Sequence, residues 1–147
     1  MKKDVILDTG PLVAYLSEND NYHDWAQEQL QGISFPLLTC EAVITEASFL
    51  VQRNTGSSQI IVEMLQQGLL SIPFLLSEEI DIINELMQKY NNVPTSLADA
   101  CLVRMAEIYS ESEVLTLDSD FYIYRKYNKQ QIPIIIPPDR FNKLKMP

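Results

Sequence analysis

The feature that most constrains this chain is an alternation. Short runs rich in Val, Ile and Leu recur between longer segments with helical spacing. Residues 5–7, 36–39, 114–117 and 132–136 read as strands, and the apolar run 70–75 as extended chain. Between them, residues 11–17, 22–30, 41–53, 58–67, 77–90 and 96–110 read as helices. Ser77 and Ser96 open the last two, and Glu78 and Glu79 sit favourably in a first turn. Strands that are apolar throughout, not alternately, belong to sheets covered on both faces. The pattern predicts an α/β protein with a largely parallel sheet and helices on both sides.

A length of 147 residues fits one domain over residues 1–147, large enough for its own core. No apolar run approaches the roughly 20 residues that span a bilayer. The opening Met1-Lys2-Lys3-Asp4 leads straight into a short strand with no signal-peptide apolar region, so a cytoplasmic location is expected. Cys40 and Cys101 lie in apolar contexts without metal-like spacing, which points to core packing in a reducing compartment. The net charge is -9, unevenly spread. Residues 4–124 carry 19 acids and three bases, whereas six bases face one acid from Arg125 onward. An acidic body with a basic C-terminal edge from about residue 125 is expected, with plain solubility as the alternative meaning.

The strand ends give the acids their significance. In open parallel sheets, ligands bind beyond the carboxyl ends of the strands. Asp8 follows residues 5–7 and Asp118 follows residues 114–117, so both are expected at one sheet edge. Either could instead only cap the next helix. Glu46 shares a helix with Val43, Ala47 and Leu50, at the margin of a buried stripe, where a carboxylate is costly unless paired. Asp99 shares a face with Leu102, Val103 and Ala106, although Ser96-Leu97-Ala98-Asp99 also fits a capping box.

Four such acids suit hard divalent cations. Mg²⁺ or Mn²⁺ prefers oxygen ligands, and such an ion can activate water and offset charge on a phosphodiester. Parts for other chemistries are missing from the sequence. The single histidine, His23, reads as a surface residue on a polar helix, and no P-loop, nucleophile elbow or dinucleotide fingerprint occurs. Gly10 stands where a haloacid-dehalogenase-like phosphatase would need a second Asp.

Four motifs then carry a resemblance. Leu7-Asp8-Thr9-Gly10-Pro11-Leu12-Val13-Ala14, Thr45-Glu46-Ala47, Ser96-Leu97-Ala98-Asp99-Ala100 and Leu115-Thr116-Leu117-Asp118-Ser119-Asp120-Phe121 occur in order across nearly the whole chain. Together they resemble PIN-domain proteins, particularly VapC-type toxins. The resemblance implies a three-layer α/β/α fold and Mg²⁺- or Mn²⁺-dependent cleavage of RNA. It implies Asp8, Glu46, Asp99 and Asp118 as the catalytic and metal-binding quartet, Asp120 as an optional outer member, and Thr9 and Thr116 as supports. It also implies a small inhibitory antitoxin partner and a homodimer. The alternatives are a housekeeping RNA-processing nuclease and a silent PIN module that binds RNA or a protein. Aromatics interleave with bases over Phe121, Tyr122, Tyr124, Arg125, Lys126, Tyr127 and Lys129, a pattern open to two readings, of which an RNA contact strip is one. The competing reading packs those aromatics in the core. The field of the four acids also suggests that an inhibitor would place an Arg or Lys among them.

Overall fold

The computed structural model describes residues 3–93 and 95–140. In chain order the elements are β1 (Asp4–Leu7), α1 (Thr9–Leu16), α2 (His23–Gln31), β2 (Leu37–Leu38), α3 (Glu41–Thr55) and α4 (Gln59–Gln66). They continue with β3 (Leu70–Ser71), α5 (Ile80–Lys89), α6 (Leu97–Ile108), β4 (Ser112–Leu115), β5 (Arg125–Lys126), β6 (Gln130–Gln131) and β7 (Ile134–Ile135). Five strands form one sheet in the order β3-β2-β1-β4-β7, and every pairing in it is parallel.

Strand periodicity sorts the apolar side chains into two cores. Ile6, Val114 and Ile134 pack on one face with α5, α6, Phe121 and Tyr124, while Val5, Leu7, Leu115 and Ile135 face α1, α3 and α4 on the other. The three-layer α/β/α architecture follows. Helix α3 passes from one core to the other: Val43 belongs with the first cluster, Ala47 and Val51 with the second. The point of passage is the edge of the sheet, and Glu46 lies there.

Several boundaries differ from the sequence expectation. The strand expected at residues 114–117 runs Ser112–Leu115, because its register with Asp4–Leu7 ends where β1 ends. The next residue, Thr116, keeps one backbone bond to Ile135 and then turns its hydroxyl to Asp8. Only Leu70 and Ser71 of the run 70–75 join the sheet. The helix expected from Ser77 begins as a 3-10 turn over Leu76–Glu78, and α5 starts at Ile80. A second 3-10 turn, Ser119–Tyr122, and the β5–β6 hairpin were outside the expectation. The hairpin turn holds Tyr127 and Asn128 at positive φ, a geometry that sequence periodicity does not report.

His23 is no simple surface residue. It is half-buried at the start of α2, and its Nδ1 lies 2.8 Å from the Ala14 carbonyl oxygen, tying α2 to the last turns of α1. Cys40 and Cys101 are both free and buried, as expected. Among the described residues, no helix is long and apolar enough to cross a membrane.

Candidate active site

Asp8, Glu46, Asp99 and Asp118 line one open cleft of about 520 Å³ at the carboxyl edge of the sheet. Four separate segments deliver them: the end of β1, the middle of α3, the first turn of α6 and the loop after β4. Thr9, Gly10, Leu50, Ser96, Leu117, Ser119 and Arg140 complete the wall.

Asp8 is the most confined of the four, at 6% exposure. The capping and site readings coexist in it. Its Oδ1 accepts from the Thr9 backbone N–H at 2.7 Å, which caps α1, and its Oδ2 accepts from the Thr116 hydroxyl at 2.7 Å. Burial nevertheless pushes its carboxyl up to about 7, the two hydrogen bonds oppose that, and the charges of Asp99 and Asp118 add to it. Asp99 behaves similarly. The Ser96 hydroxyl accepts from the Asp99 backbone N–H at 3.0 Å, so the capping box is half visible, yet the side chain still lines the cleft. Burial raises the Asp99 carboxyl first and the Asp118 charge second, while hydrogen bonds from Tyr124 and Ser96 hold it down.

Asp118 lies three residues after the end of β4 and caps the second 3-10 turn, its Oδ1 accepting from the Asp120 N–H at 2.9 Å. Its own N–H donates to the Thr116 hydroxyl at 2.9 Å. One threonine hydroxyl therefore joins the two strand-end acids. Thr9 contributes differently from what the motif suggests. Its backbone supports Asp8, while its hydroxyl is buried and has no hydrogen-bond partner among the described residues.

Glu46 corrects the sequence expectation. It lies in the cleft wall but is exposed, so its position carries no burial penalty. Asp120 is half-buried and outside the cleft lining. Burial and the Asp118 charge raise its carboxyl.

The RNA strip does not survive as a surface. Phe121 and Tyr124 are fully buried and Lys126 is 7% exposed. Tyr124 packs edge-on against Tyr90 and Phe121 with ring centres 5.0 and 5.1 Å away. Lys126 Nζ donates to the Ser110 carbonyl, and Arg125 donates to the carbonyls of Tyr122 and Tyr124. The core reading holds for Phe121 and Tyr124, whereas Tyr122 is half-buried and Tyr127 exposed. The basic edge is likewise divided: Lys129 is exposed, Arg140 stands at the acidic cleft, and Lys143 and Lys145 lie outside the described residues.

Two contributors were missed by motif reading. Tyr124 Oη donates to Asp99 Oδ2 at 3.1 Å from within the core. Gly10 lets Leu117 close over it, since a Cβ there would lie 3.0 Å from Leu117 Cδ1. Neither had a sequence signal beyond its place in a motif.

The donors are all hard oxygens, and the orphaned Thr9 hydroxyl adds another at the same wall. Among the described residues, no three acidic side chains form a ready-made cage. That arrangement fits Mg²⁺ chemistry, in which one or two carboxylates share the ion with several waters.

A parallel α/β/α sheet gathers acids from four segments at its carboxyl edge, and the cleft they line is rich in oxygen donors. Residues 5–127 match the PIN domain family, and the chain belongs to that family. It is 26% identical over 116 residues to Ribonuclease VapC26 of Mycobacterium tuberculosis, an alignment spanning 78% of this chain and 86% of that protein. The fold also matches the crystal structure of Mycobacterium tuberculosis VapC20, described as a sarcin-ricin loop cleaving toxin. That match has a TM-score of 0.65 at 16% identity, over 76% of this chain and 87% of the other.

Proposed function

We propose that this chain is a divalent-metal-dependent endoribonuclease and the toxin of a toxin–antitoxin pair. The observation that carries the reading is the convergence of Asp8, Glu46, Asp99 and Asp118, from four segments, on one cleft. Family membership and the ribonuclease name of the VapC26 relative support it.

Asp8, Asp99, Asp118 and Glu46 would hold Mg²⁺ or Mn²⁺, one or two of them directly and the others through the ion's waters. The bound ion supplies a Lewis acid that activates water and neutralises charge on the phosphodiester. The protein's own contribution is placement. Asp8 is fixed by the Thr9 N–H and the Thr116 hydroxyl, and Asp99 by Tyr124 from below. Glu46, exposed on α3, is free to meet whatever enters the cleft. Burial disfavours the charged form of Asp8, which a bound cation would favour, so a cation and a proton compete there.

The test is cleavage of single-stranded RNA with Mg²⁺ or Mn²⁺. Cleavage should fall by orders of magnitude in EDTA and in Asp8→Asn. Undiminished cleavage under either condition would end the metal-nuclease reading. A small inhibitory partner and a homodimer belong to the same proposal. Light scattering on the pure protein, and co-purification with the product of a neighbouring small gene, test them.

A further inference from the structure

Among the described residues, the wall of the acidic cleft contains one basic side chain, Arg140. It is braced from outside the cleft. Its guanidinium carbon lies 5.4 Å from the centre of the Tyr22 ring, and Tyr22 Oη donates to Asp139 Oδ2 at 2.5 Å. Tyr22 is in turn set at the start of α2, where its backbone N–H donates to Asp20 Oδ1 at 2.8 Å. Two residues adjoining each other in sequence, Asp139 and Arg140, thus grip the same tyrosine.

This positive charge acts on Asp139 and Tyr22 beside it but forms no ion pair with the four acids of the cleft among the described residues. Among the described residues, the ion pairs are those of Arg104 with Glu79 and Glu107, and none involves Arg140. The Arg140 Nε–H is shielded from solvent and has no acceptor among the described residues. A shielded donor on a permanent cation is satisfied best by an anionic acceptor. Phosphate matches the planar fork of a guanidinium in two parallel hydrogen bonds, which an ammonium cannot reproduce. Phe121, Tyr124 and Lys126 of the strip are packed away, and among the described residues Arg140 is the cation that lines the cleft of the four acids.

We infer that Arg140 binds a backbone phosphate of single-stranded RNA at the cleft, with Tyr22 and Asp139 as positioning residues. The inference rests on the nuclease reading and adds a substrate-binding group to it.

The experiment uses a short fluorescent single-stranded RNA with wild type, Arg140→Gln, Arg140→Lys and Tyr22→Phe. Cleavage in Mn²⁺ gives kcat and KM, and anisotropy in Ca²⁺ at several salt concentrations gives Kd. Arg140→Gln should raise KM and Kd about 10-fold, the scale of one charge-assisted contact, with kcat within about threefold of wild type. The slope of log Kd against log salt should fall by about 0.7, the value for one single-strand phosphate. Arg140→Lys should restore the slope but not the full affinity. Tyr22→Phe, which keeps the ring but releases Asp139, should raise KM less than Arg140→Gln does. Unchanged Kd, KM and slope in a folded Arg140→Gln that still cleaves would overturn the inference and leave the nuclease reading intact. Tighter binding or faster cleavage would overturn it too, by making Arg140 an internal counter-ion of the acids. Wild type that binds RNA through Arg140 yet cleaves none would retain the contact and remove the nuclease reading. Wild type that does neither would remove both.

Discussion

Replacing Asp8 by Asn removes a charge that the fold itself disfavours. An unfolded Asp titrates near 3.9, and burial moves Asp8 to about 7 in the folded protein. Between those values the folded state keeps a proton that the unfolded chain has released. The Asp8 contribution is therefore most favourable below about pH 4 and declines as pH rises to about 7. Three units at about 1.4 kcal/mol each give a penalty of about 4 kcal/mol at pH 8, with about a third of it left at pH 5. Asn avoids that penalty. It keeps an acceptor for the Thr9 N–H but turns its amide toward a Thr116 hydroxyl that donates to Asp8 and accepts from Asp118, a mismatch of about 1 kcal/mol. The net expectation is a variant about 3 kcal/mol more stable than wild type at pH 8 in EDTA. For a chain of this size that is roughly 10 °C in Tm. Calorimetry at pH 5 and pH 8 measures both the gain and its decline toward acid. Saturating Mn²⁺ should narrow or invert the difference, because metal bound to the folded state stabilises wild type by about 2.7 kcal/mol at a hundredfold excess over Kd. An Asp8→Asn protein that melts at or below wild type at pH 8 in EDTA, or with a pH-independent difference, would refute the reasoning.

Gly10→Ala should lower cleavage severalfold and cost about 1–2 kcal/mol in a denaturant titration, since the new Cβ meets Leu117 at 3.0 Å and pushes the loop bearing Asp118. Tyr124→Phe keeps both ring contacts but strips Asp99 of a donor. About 2 kcal/mol of stability should go at alkaline pH, and less as pH falls and Asp99, whose carboxyl is raised, takes up its proton. Glu46→Gln, at an exposed position, should leave Tm within about 1 °C while cleavage falls at least tenfold; unchanged cleavage would remove Glu46 from the site.

The layers of the sheet and the meeting of four acids at one cleft were legible in the sequence. Apolar strands set between helices admit little besides a covered parallel sheet, and Asp8 had to emerge at its carboxyl edge because it directly follows a strand. Local chemistry was also legible where it acts over three or four residues, as in the Ser96 cap of α6. What lay beyond that range was not. Glu46 sits beside an apolar stripe in sequence yet is exposed, because α3 changes cores at the sheet edge and leaves that position uncovered. Tyr124 and Lys126 look like a binding strip in sequence, but the chain after Asp118 turns inward and buries them. Thr116 reaches Asp8 across 108 positions, and Asp139 reaches Tyr22 across 117. Such pairings depend on strand register and on how segments return across the sheet, which no short-range pattern encodes. Arg140 stands among the acids for the same reason, because the chain returns to the cleft after β7.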